Sequence, residues 1–448
     1  MFGARGDRRT IFAPASGSGR AAIAVIRISG PSSAAALTAL TGDATPPARL
    51  ASLRRLRDPS SGEALDRGLV LWLPAPHSYT GEDAAELHVT GGRAVLASVA
   101  RALASLRDMR PAEPGEFAWR AFENGKLDLS QVEGLADLVD AQTEAQRRQA
   151  LRIAGGALSR DAEATRRDIL EAMARIEAAI DFSDQEDVGA ATIGEARALA
   201  AAAAEKLRAT LRNADRGERL RDGFNVVIAG PPNVGKSTLL NTLARRDVAI
   251  VSEIPGTTRD AIEVHLELRG LPVALIDTAG IRETDDPVER EGVARARRRA
   301  TEADLVLWLS DGAAPPQELQ EESGPPRLAV RTKIDLAARA TAPAALAISA
   351  RTGEGIELLL DSIAAAAEEQ LSGADQSLIA VARHRAAFEE ALSNLERAIA
   401  YPDRGQDPGL EFLAEDLRLA ARALERIAGR IDVEDVLGEI FSRLCIGK

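Results

Sequence analysis

At 448 residues, 45% hydrophobic and 28% charged, the chain has a soluble globular composition and is too long for one ordinary core; its length suggests roughly three domains. A net charge of −12 and a pI near 5.1 exclude a surface that coats nucleic acid by neutralising phosphates, so any RNA contact is local or supplied by a partner. The single cysteine, Cys445, excludes an intrachain disulfide framework. Met1 to Arg9 lead into no apolar signal segment, and no run approaches the roughly 18 apolar residues of a membrane span, which points to the cytoplasm.

The first part of the chain mixes short strands with turns rich in glycine and proline. Residues 23–28 (IAVIRI) read as a buried strand that presents Arg27 near its end. Residues 77–92 read as a turn, then a strand carrying Glu86, then an exit through Gly91 and Gly92. Pro114-Gly115-Glu116-Phe117 opens a segment that runs on to Lys126 and Leu129. From spacing alone Arg27, Glu86 and Lys126 read more readily as solvated charges than as the alternative, a ligand set for an anionic, pterin-type molecule.

From Leu127 the texture is helical. Ile169, Met173, Ile176 and Ile180 recur at helical spacing, the pattern of one amphipathic face, and Asp181-Phe182-Ser183-Asp184 interrupts it. Alanine-rich helices of this kind indicate a bundle. Near Asp222 the pattern changes to alternating strands and helices, the signature of a doubly wound parallel sheet. Strands are expected at 264–268, 273–276, 305–309, 328–330 and 345–348. After Gly373 two more helical stripes follow, Phe388, Leu392, Leu395 and Ile399, then Leu413, Leu417, Leu424 and Ile427.

The chemistry concentrates in the alternating region. Gly230-Pro231-Pro232-Asn233-Val234-Gly235-Lys236-Ser237-Thr238 lies between an aliphatic run and a helical one, the context of a phosphate-binding loop. Its N–H groups and the helix dipole suit a phosphate, Lys236 supplies a point charge, and Ser237 is placed to ligate Mg²⁺. A first switch follows over Ser252, Glu253, Ile254, Pro255, Gly256, Thr257 and Thr258, in which Thr258 would complete the Mg²⁺ shell. Asp277-Thr278-Ala279-Gly280 ends a strand, so Asp277 can hold the metal through water while the Gly280 N–H meets a γ-phosphate. Lys333 and Asp335 end another strand. The Asp335 carboxylate accepts from guanine N1–H and N2–H and repels the bare N1 of adenine, and Ser349 with Ala350 would cover the base edge. Two departures stand out. The base-reading segment begins with Thr332 where Asn is usual, and a hydroxyl replaces only part of an amide's hydrogen bonding, so a reduced guanine affinity is expected. Ile281 stands where Ras-like enzymes place a water-orienting glutamine, so another polar group in this acidic switch must take that role.

With Tyr79-Thr80-Gly81-Glu82-Asp83, Pro114 to Phe117, Asn124 to Leu129, these GTPase segments and the terminal Cys445-Ile446-Gly447-Lys448, nearly the whole chain resembles the MnmE (TrmE) family of tRNA-modifying GTPases. The resemblance implies a multidomain α/β and all-α fold. Residues 1–122 would be an α+β tetrahydrofolate-binding and dimerisation domain, 123–221 and 373–448 a discontinuous helical domain, and 222–372 an inserted Ras-like G domain. It implies a site for 5-formyl- or 5,10-methylene-tetrahydrofolate at Arg27, Glu86, Lys126 and Lys448, reversing the reading from spacing. Family members often carry His-Gly-Gly where this chain has Thr90-Gly91-Gly92. The resemblance also implies a K⁺ held by Asn233, Ser252, Ile254 and Thr257, with a purely loop-shaping Asn233 as the bland alternative. It makes Glu289 the residue that orients the attacking water and gives Cys445 a part in modification, against an incidental exposed thiol. The implied function is K⁺-dependent GTP hydrolysis by a homodimer. With an FAD-dependent MnmG/GidA-type partner, in a heterotetramer or larger complex, a carboxymethylaminomethyl-type group is added to C5 of a tRNA wobble uridine. The main rival is a regulatory or ribosome-assembly GTPase of the Era or Der type, disfavoured by a single phosphate loop and by acidic, alanine-rich helices after it.

Overall fold

A computed structural model of the chain describes residues 7–17, 19–181, 186–231, 233–246, 248–250, 263–277, 303–311, 324–336, 346–401 and 409–431, with 437, 438, 440, 441, 444 and 447. The chain divides into two compact units: Met1–Ala136 with Ala154–Glu163 and Leu424–Lys448, and Asp137–Ile153 with Ala164–Ala423.

The first unit is built on a six-stranded sheet. Its strands are β1 (Thr10–Pro14), β2 (Ile23–Ser29), β3 (Ser52–Arg57), β4 (Ala64–Leu73), β5 (Ala84–Thr90) and β6 (Met109–Pro111). They lie in the order β3-β4-β5-β2-β1-β6, antiparallel except for the parallel pair β1 and β6. Side chains alternate across a strand. Ile26, Ile28, Val70, Leu87 and Val89 therefore point to one face, where α1 (Ser33–Thr41) and α2 (Arg93–Ala104) cover them with Leu37, Leu40, Val99 and Leu103. The opposite face is covered only in part, where Phe117 and Tyr79 pack on Ile11 and Ala13, so β2 is not buried throughout; Ile23 is 65% exposed. The other face carries Arg27 and Glu86, directly opposite one another on β2 and β5.

A second core joins α3 (Glu116–Glu123) and the start of α4 (Leu129–Asp140) to residues near the chain's end. Phe441 is wholly buried there, with Trp119 edge-on at 5.2 Å. Gly115, just before α3, has φ +71°, and a Cβ there would overlap the Phe441 carbonyl.

In the second unit α5 (Glu144–Ala154), the later part of α6 (Ala157–Asp181), α7 (Glu186–Leu211) and α8 (Ala214–Asp222) precede a second six-stranded sheet. Its strands are β7 (Phe224–Ala229), β8 (Glu263–Leu268), β9 (Leu271–Asp277), β10 (Leu305–Ser310), β11 (Arg327–Arg331) and β12 (Leu346–Ala347). They lie in the order β12-β11-β10-β7-β9-β8, parallel except for β8 against β9. Val226, Ile228, Leu275, Leu307, Leu309 and Val330 form the sheet's share of a core completed by α9 (Lys236–Leu243) and α10 (Ile356–Leu371). Beyond it run α11 (Ala382–Ala400), which packs along α7, and α12 (Gly409–Glu425). On α11 the buried face includes Ala387, Phe388, Ala391, Leu395 and Ala398, while Leu392 and Ile399 are only half-buried. Its small side chains let the helix approach closely, which rotates the face away from the expected stripe. Leu413, Leu417, Leu424 and Ile427 are all buried. Among the described residues no helix is long and apolar enough to cross a membrane.

Candidate functional site

The carboxyl ends of the parallel strands in the second unit carry the first site. The loop after β7 turns sharply: Gly230 has φ +142° and lies against the Leu309 carbonyl, Asn233 has φ +63° and Gly235 has φ +105°. Glycine enters these conformations without a Cβ penalty, and Asn tolerates the left-handed region better than most residues. The loop delivers the chain to α9, whose first turn holds Lys236, Ser237 and Thr238. The Lys236 ammonium donates to the Gly230 and Pro231 carbonyls at 2.8 and 2.9 Å. Ser237 Oγ donates to Asp277 Oδ2 at 2.8 Å, and Asp277, at the end of β9, is 1% exposed. A hydroxyl and a carboxylate from neighbouring elements thus converge beside the loop, and hard oxygen donors of this kind suit Mg²⁺, which keeps several waters and phosphate oxygens besides.

The exit of β11 closes on the same loop. Thr332 Oγ1 donates to the Val234 carbonyl at 2.7 Å, and the Lys333 ammonium donates to the Asn233 carbonyl at 2.6 Å. Lys333 itself has φ +57°. Asp335 is exposed, and its Oδ1 accepts from Ser349 Oγ at 2.8 Å. Thr242 Oγ1 of α9 lies 3.1 Å from the Ala350 carbonyl, with the Thr238 carbonyl of its own helix the nearer acceptor at 2.9 Å, so the segment after β12 packs on the helix of the phosphate loop. Asn233, Val234, Gly235, Lys236, Ser237, Asp277, Lys333, Asp335, Ser349 and Ala350 are therefore gathered at one end of one sheet. Sequence reasoning missed the contacts of Thr332 and Lys333 with the loop; the only signal was the departure at Thr332 itself. Ser252, Glu253, Ile254, Pro255, Gly256, Thr257, Thr258, Thr278, Ala279, Gly280, Ile281 and Glu289 lie outside the described residues.

The second site lies on the opposite face of the first sheet, beside the Phe117 cluster. Arg27 Nε and Nη2 both donate to Glu86 Oε1 at 3.1 Å, and Nη1 donates to the Gly447 carbonyl at 3.3 Å. The guanidinium also lies 5.0 Å from the Tyr79 ring centre and 5.9 Å from that of Phe117, within cation–π range. His88 Nε2 is 3.4 Å from Glu86 Oε2. The Tyr79 hydroxyl is buried without a hydrogen-bond partner, and burial raises its pKa against a smaller opposing effect of Arg27. Lys126 joins through the same turn: its ammonium donates to the Pro76 carbonyl at 3.1 Å, and Asn124 Nδ2 donates to the Thr80 carbonyl at 2.7 Å. Gly447, at φ +105°, sits so close to Pro14 that a Cβ would overlap the Pro14 carbonyl. Arg27, Glu86 and Lys126 are thus brought to one region, together with Tyr79, His88 and Gly447, which spacing alone did not single out. Cys445 and Lys448 lie outside the described residues.

A buried polar network supports this site. Ser29 Oγ shares a 2.6 Å hydrogen bond with Thr80 and donates to Glu82 at 2.7 Å. Arg120 bridges Glu82 at 3.1 Å and Glu116 at 3.0 Å, and Arg110 holds both Glu116 oxygens at 2.7 Å. Burial alone would raise the Glu116 pKa, but hydrogen bonds from Arg110 and the Glu113 N–H, with the charges of Arg120 and Arg110, hold it below the ordinary value.

A phosphate loop between β7 and α9, with strand ends that gather Ser237, Asp277 and Asp335, defines a P-loop GTPase. A family model described as the MnmE helical domain matches residues 129–445, and one described as the GTP-binding protein TrmE N-terminus matches residues 10–126. The tRNA modification GTPase MnmE of Methylobacterium sp. (strain 4-46) is 57% identical over 98% of this chain and 99% of its own length. That of Beijerinckia indica subsp. indica is 54% identical over 98% and 96%, and that of Rhodopseudomonas palustris (strain CGA009) 51% over 98% and 99%. The chain belongs to the MnmE family of tRNA modification GTPases. Among solved structures, a variant of Aquifex aeolicus Era bound to GDP and aluminium fluoride is 30% identical over 32% of this chain and 56% of that one, with a TM-score of 0.23.

Proposed function

We propose that the chain is a K⁺-dependent GTP hydrolase that works in tRNA modification with an FAD-dependent partner of the MnmG/GidA type. Together they add a carboxymethylaminomethyl-type group to C5 of the wobble uridine, with a one-carbon tetrahydrofolate supplying the methylene carbon and an amine donor supplying the nitrogen and its substituent. The observation that carries this reading is that one chain holds a phosphate loop and, built separately on another sheet, an Arg27–Glu86 pair flanked by the Tyr79 and Phe117 rings.

The described residues at each site suit the groups the reading requires. Ser237 would offer Mg²⁺ its hydroxyl, Asp277, 2.8 Å from that hydroxyl, would hold the metal through water, and Thr258 would complete the set. Asn233, Ser252, Ile254 and Thr257 hold K⁺, which supplies positive charge where other GTPases insert an arginine. Lys236 neutralises phosphate oxygens and Glu289 orients the attacking water. At the other site the orphaned Tyr79 hydroxyl and the ring-flanked Arg27 suit a flat, polar heterocycle with an anionic end, as a folate has. Glu86 holds Arg27 in place, Lys126 and Lys448 add positive charge, and Cys445 serves the modification step. The proposed domains are 1–122 for folate binding and dimerisation, 222–372 for the nucleotide, and 123–221 with 373–448 for the helices that join them. The protein acts as a cytoplasmic homodimer.

Mass spectrometry of wobble nucleosides from tRNA incubated with the protein, its flavoprotein partner, GTP, a folate and an amine donor tests the reading. The modified uridine should appear only when all five are present. GTP turnover without any modified nucleoside would remove the modification half of the proposal.

A further inference from the structure

We propose that Thr332 tethers the phosphate loop and does not read the base, so that among the described side chains guanine recognition rests on Asp335. The inference deepens the nucleotide-site reading and depends on it. A threonine hydroxyl has one proton to donate. That proton goes to the Val234 carbonyl at 2.7 Å, with the Ser310 carbonyl a longer acceptor at 3.3 Å, and Thr332 is only 7% exposed. The neighbouring donor is turned the same way: the Lys333 ammonium lies 2.6 Å from the Asn233 carbonyl and 3.6 Å from the Asp311 carboxylate. Two consecutive residues at the exit of β11 therefore grip two consecutive carbonyls of the phosphate loop, 98 and 100 residues away in sequence.

An asparagine at 332 has two N–H protons, enough to keep the Val234 contact and offer a second donor to a purine. The purine acceptor facing such a donor is N7, which guanine and adenine both present, whereas N1–H and N2–H belong to guanine. Replacing Asn by Thr at this position thus gives up affinity shared by all purines and leaves the discriminating carboxylate untouched. Asp335 is oriented for that role by Ser349, whose hydroxyl is fully buried behind it and also accepts from the Thr352 N–H at 3.2 Å.

The test is the affinity of the full chain for GTP, 7-deaza-GTP and ATP, measured by calorimetry. The unaltered protein should bind GTP and 7-deaza-GTP within about twofold, because no side-chain donor at 332 meets N7. A 7-deaza-GTP affinity more than about fivefold weaker would overturn the proposal. Thr332→Asn should create that fivefold preference for GTP; equal binding of both nucleotides by this variant would also count against it. Thr332→Val should weaken both nucleotides equally, by about tenfold, with Thr332→Ser restoring them; a valine variant that binds like the parent would show that the tether does nothing. Comparing the two nucleotides needs no variant, so a misfolded mutant does not shelter the idea. Failure of GTP to bind, or ATP binding as tightly, would instead overturn the underlying nucleotide-site reading.

Discussion

Arg27 and Glu86 face one another across β2 and β5, 59 residues apart in sequence, and a single carboxylate oxygen accepts from both Nε and Nη2 of the guanidinium. Charge-assisted bonds of this type are about twice as strong as neutral ones. Glu86→Gln keeps the shape and removes the charge, so Arg27 should lose its fixed orientation. Folate affinity, followed by fluorescence or calorimetry, is expected to fall about tenfold while GTP turnover stays unchanged. Unaltered folate binding would mean that Arg27 is positioned by Tyr79 and Gly447 alone.

Arg120 and Glu116 are a buried pair, 6% and 5% exposed at their side chains. Removing Arg120 leaves Glu116 paired with Arg110 but takes the guanidinium from Glu82, so Arg120→Met should destabilise the first unit by about 1–3 kcal/mol in chemical denaturation. The pH dependence has a definite sign. Glu116 is held below its ordinary value of 4.5, so its contribution is fully present above that value and is lost as pH falls through the lower folded value. Acid titration of thermal stability should show a steeper loss below about pH 4.5 in the parent than in Glu116→Gln.

Gly230 combines φ +142° with a backbone carbonyl, that of Leu309, where a Cβ would have to go. Gly230→Ala must therefore displace either the phosphate loop or β10. GTP affinity is expected to drop at least tenfold and the melting temperature to fall with it. A variant with parental affinity would show that the loop adopts another path when nucleotide binds.

K⁺ dependence separates two roles of Asn233. Its φ of +63° makes it a loop-shaping residue whatever else it does. Asn233→Gly preserves that backbone and deletes the amide oxygen. If Asn233 ligates K⁺, GTP turnover should be much faster in K⁺ than in Na⁺ for the parent and equal in both salts for the glycine variant, with nucleotide binding retained. Equal rates for the parent would discard the K⁺ assignment. An arginine in the corresponding role accelerates hydrolysis about 10³–10⁵-fold in other GTPases, which sets the scale of the loss.

Glu289→Ala tests the assignment of the water-orienting residue. Ile281 has no polar group with which to orient water, so hydrolysis should fall to background while GTP binding persists. A variant that no longer binds GTP would show that Glu289 supports the nucleotide and not the water.

The strand, loop and helix around Gly235 are legible in the sequence because each rests on local signals: an aliphatic run, glycines where φ is positive, and a helical stripe. The same holds for Leu413, Leu417, Leu424 and Ile427, whose spacing matches their burial. Local periodicity says less about α11, where alanines set the buried face, and about β2, whose exposed face depends on which side of the sheet the helices cover. Glu116 and Arg120 are a local i, i+4 pair on α3, but the meeting of Arg120 with Glu82, 38 residues away, has no local signature.

By itself the sequence determined the class of chemistry: a phosphate loop, a carboxylate for guanine and two helical blocks around an alternating region, all written in contiguous residues. Tertiary structure alone decided what the isolated charges do. By spacing alone Arg27 was indistinguishable from a solvated arginine; strand register puts Glu86 opposite it, with Gly447 beside it. Thr332 looked like a weakened base reader until the packing of β11 against the phosphate loop gave its only proton to Val234. In both cases the partner lies far along the chain, and a hydrogen bond of about 3 Å is set by how the sheets stack and register, which no local pattern encodes.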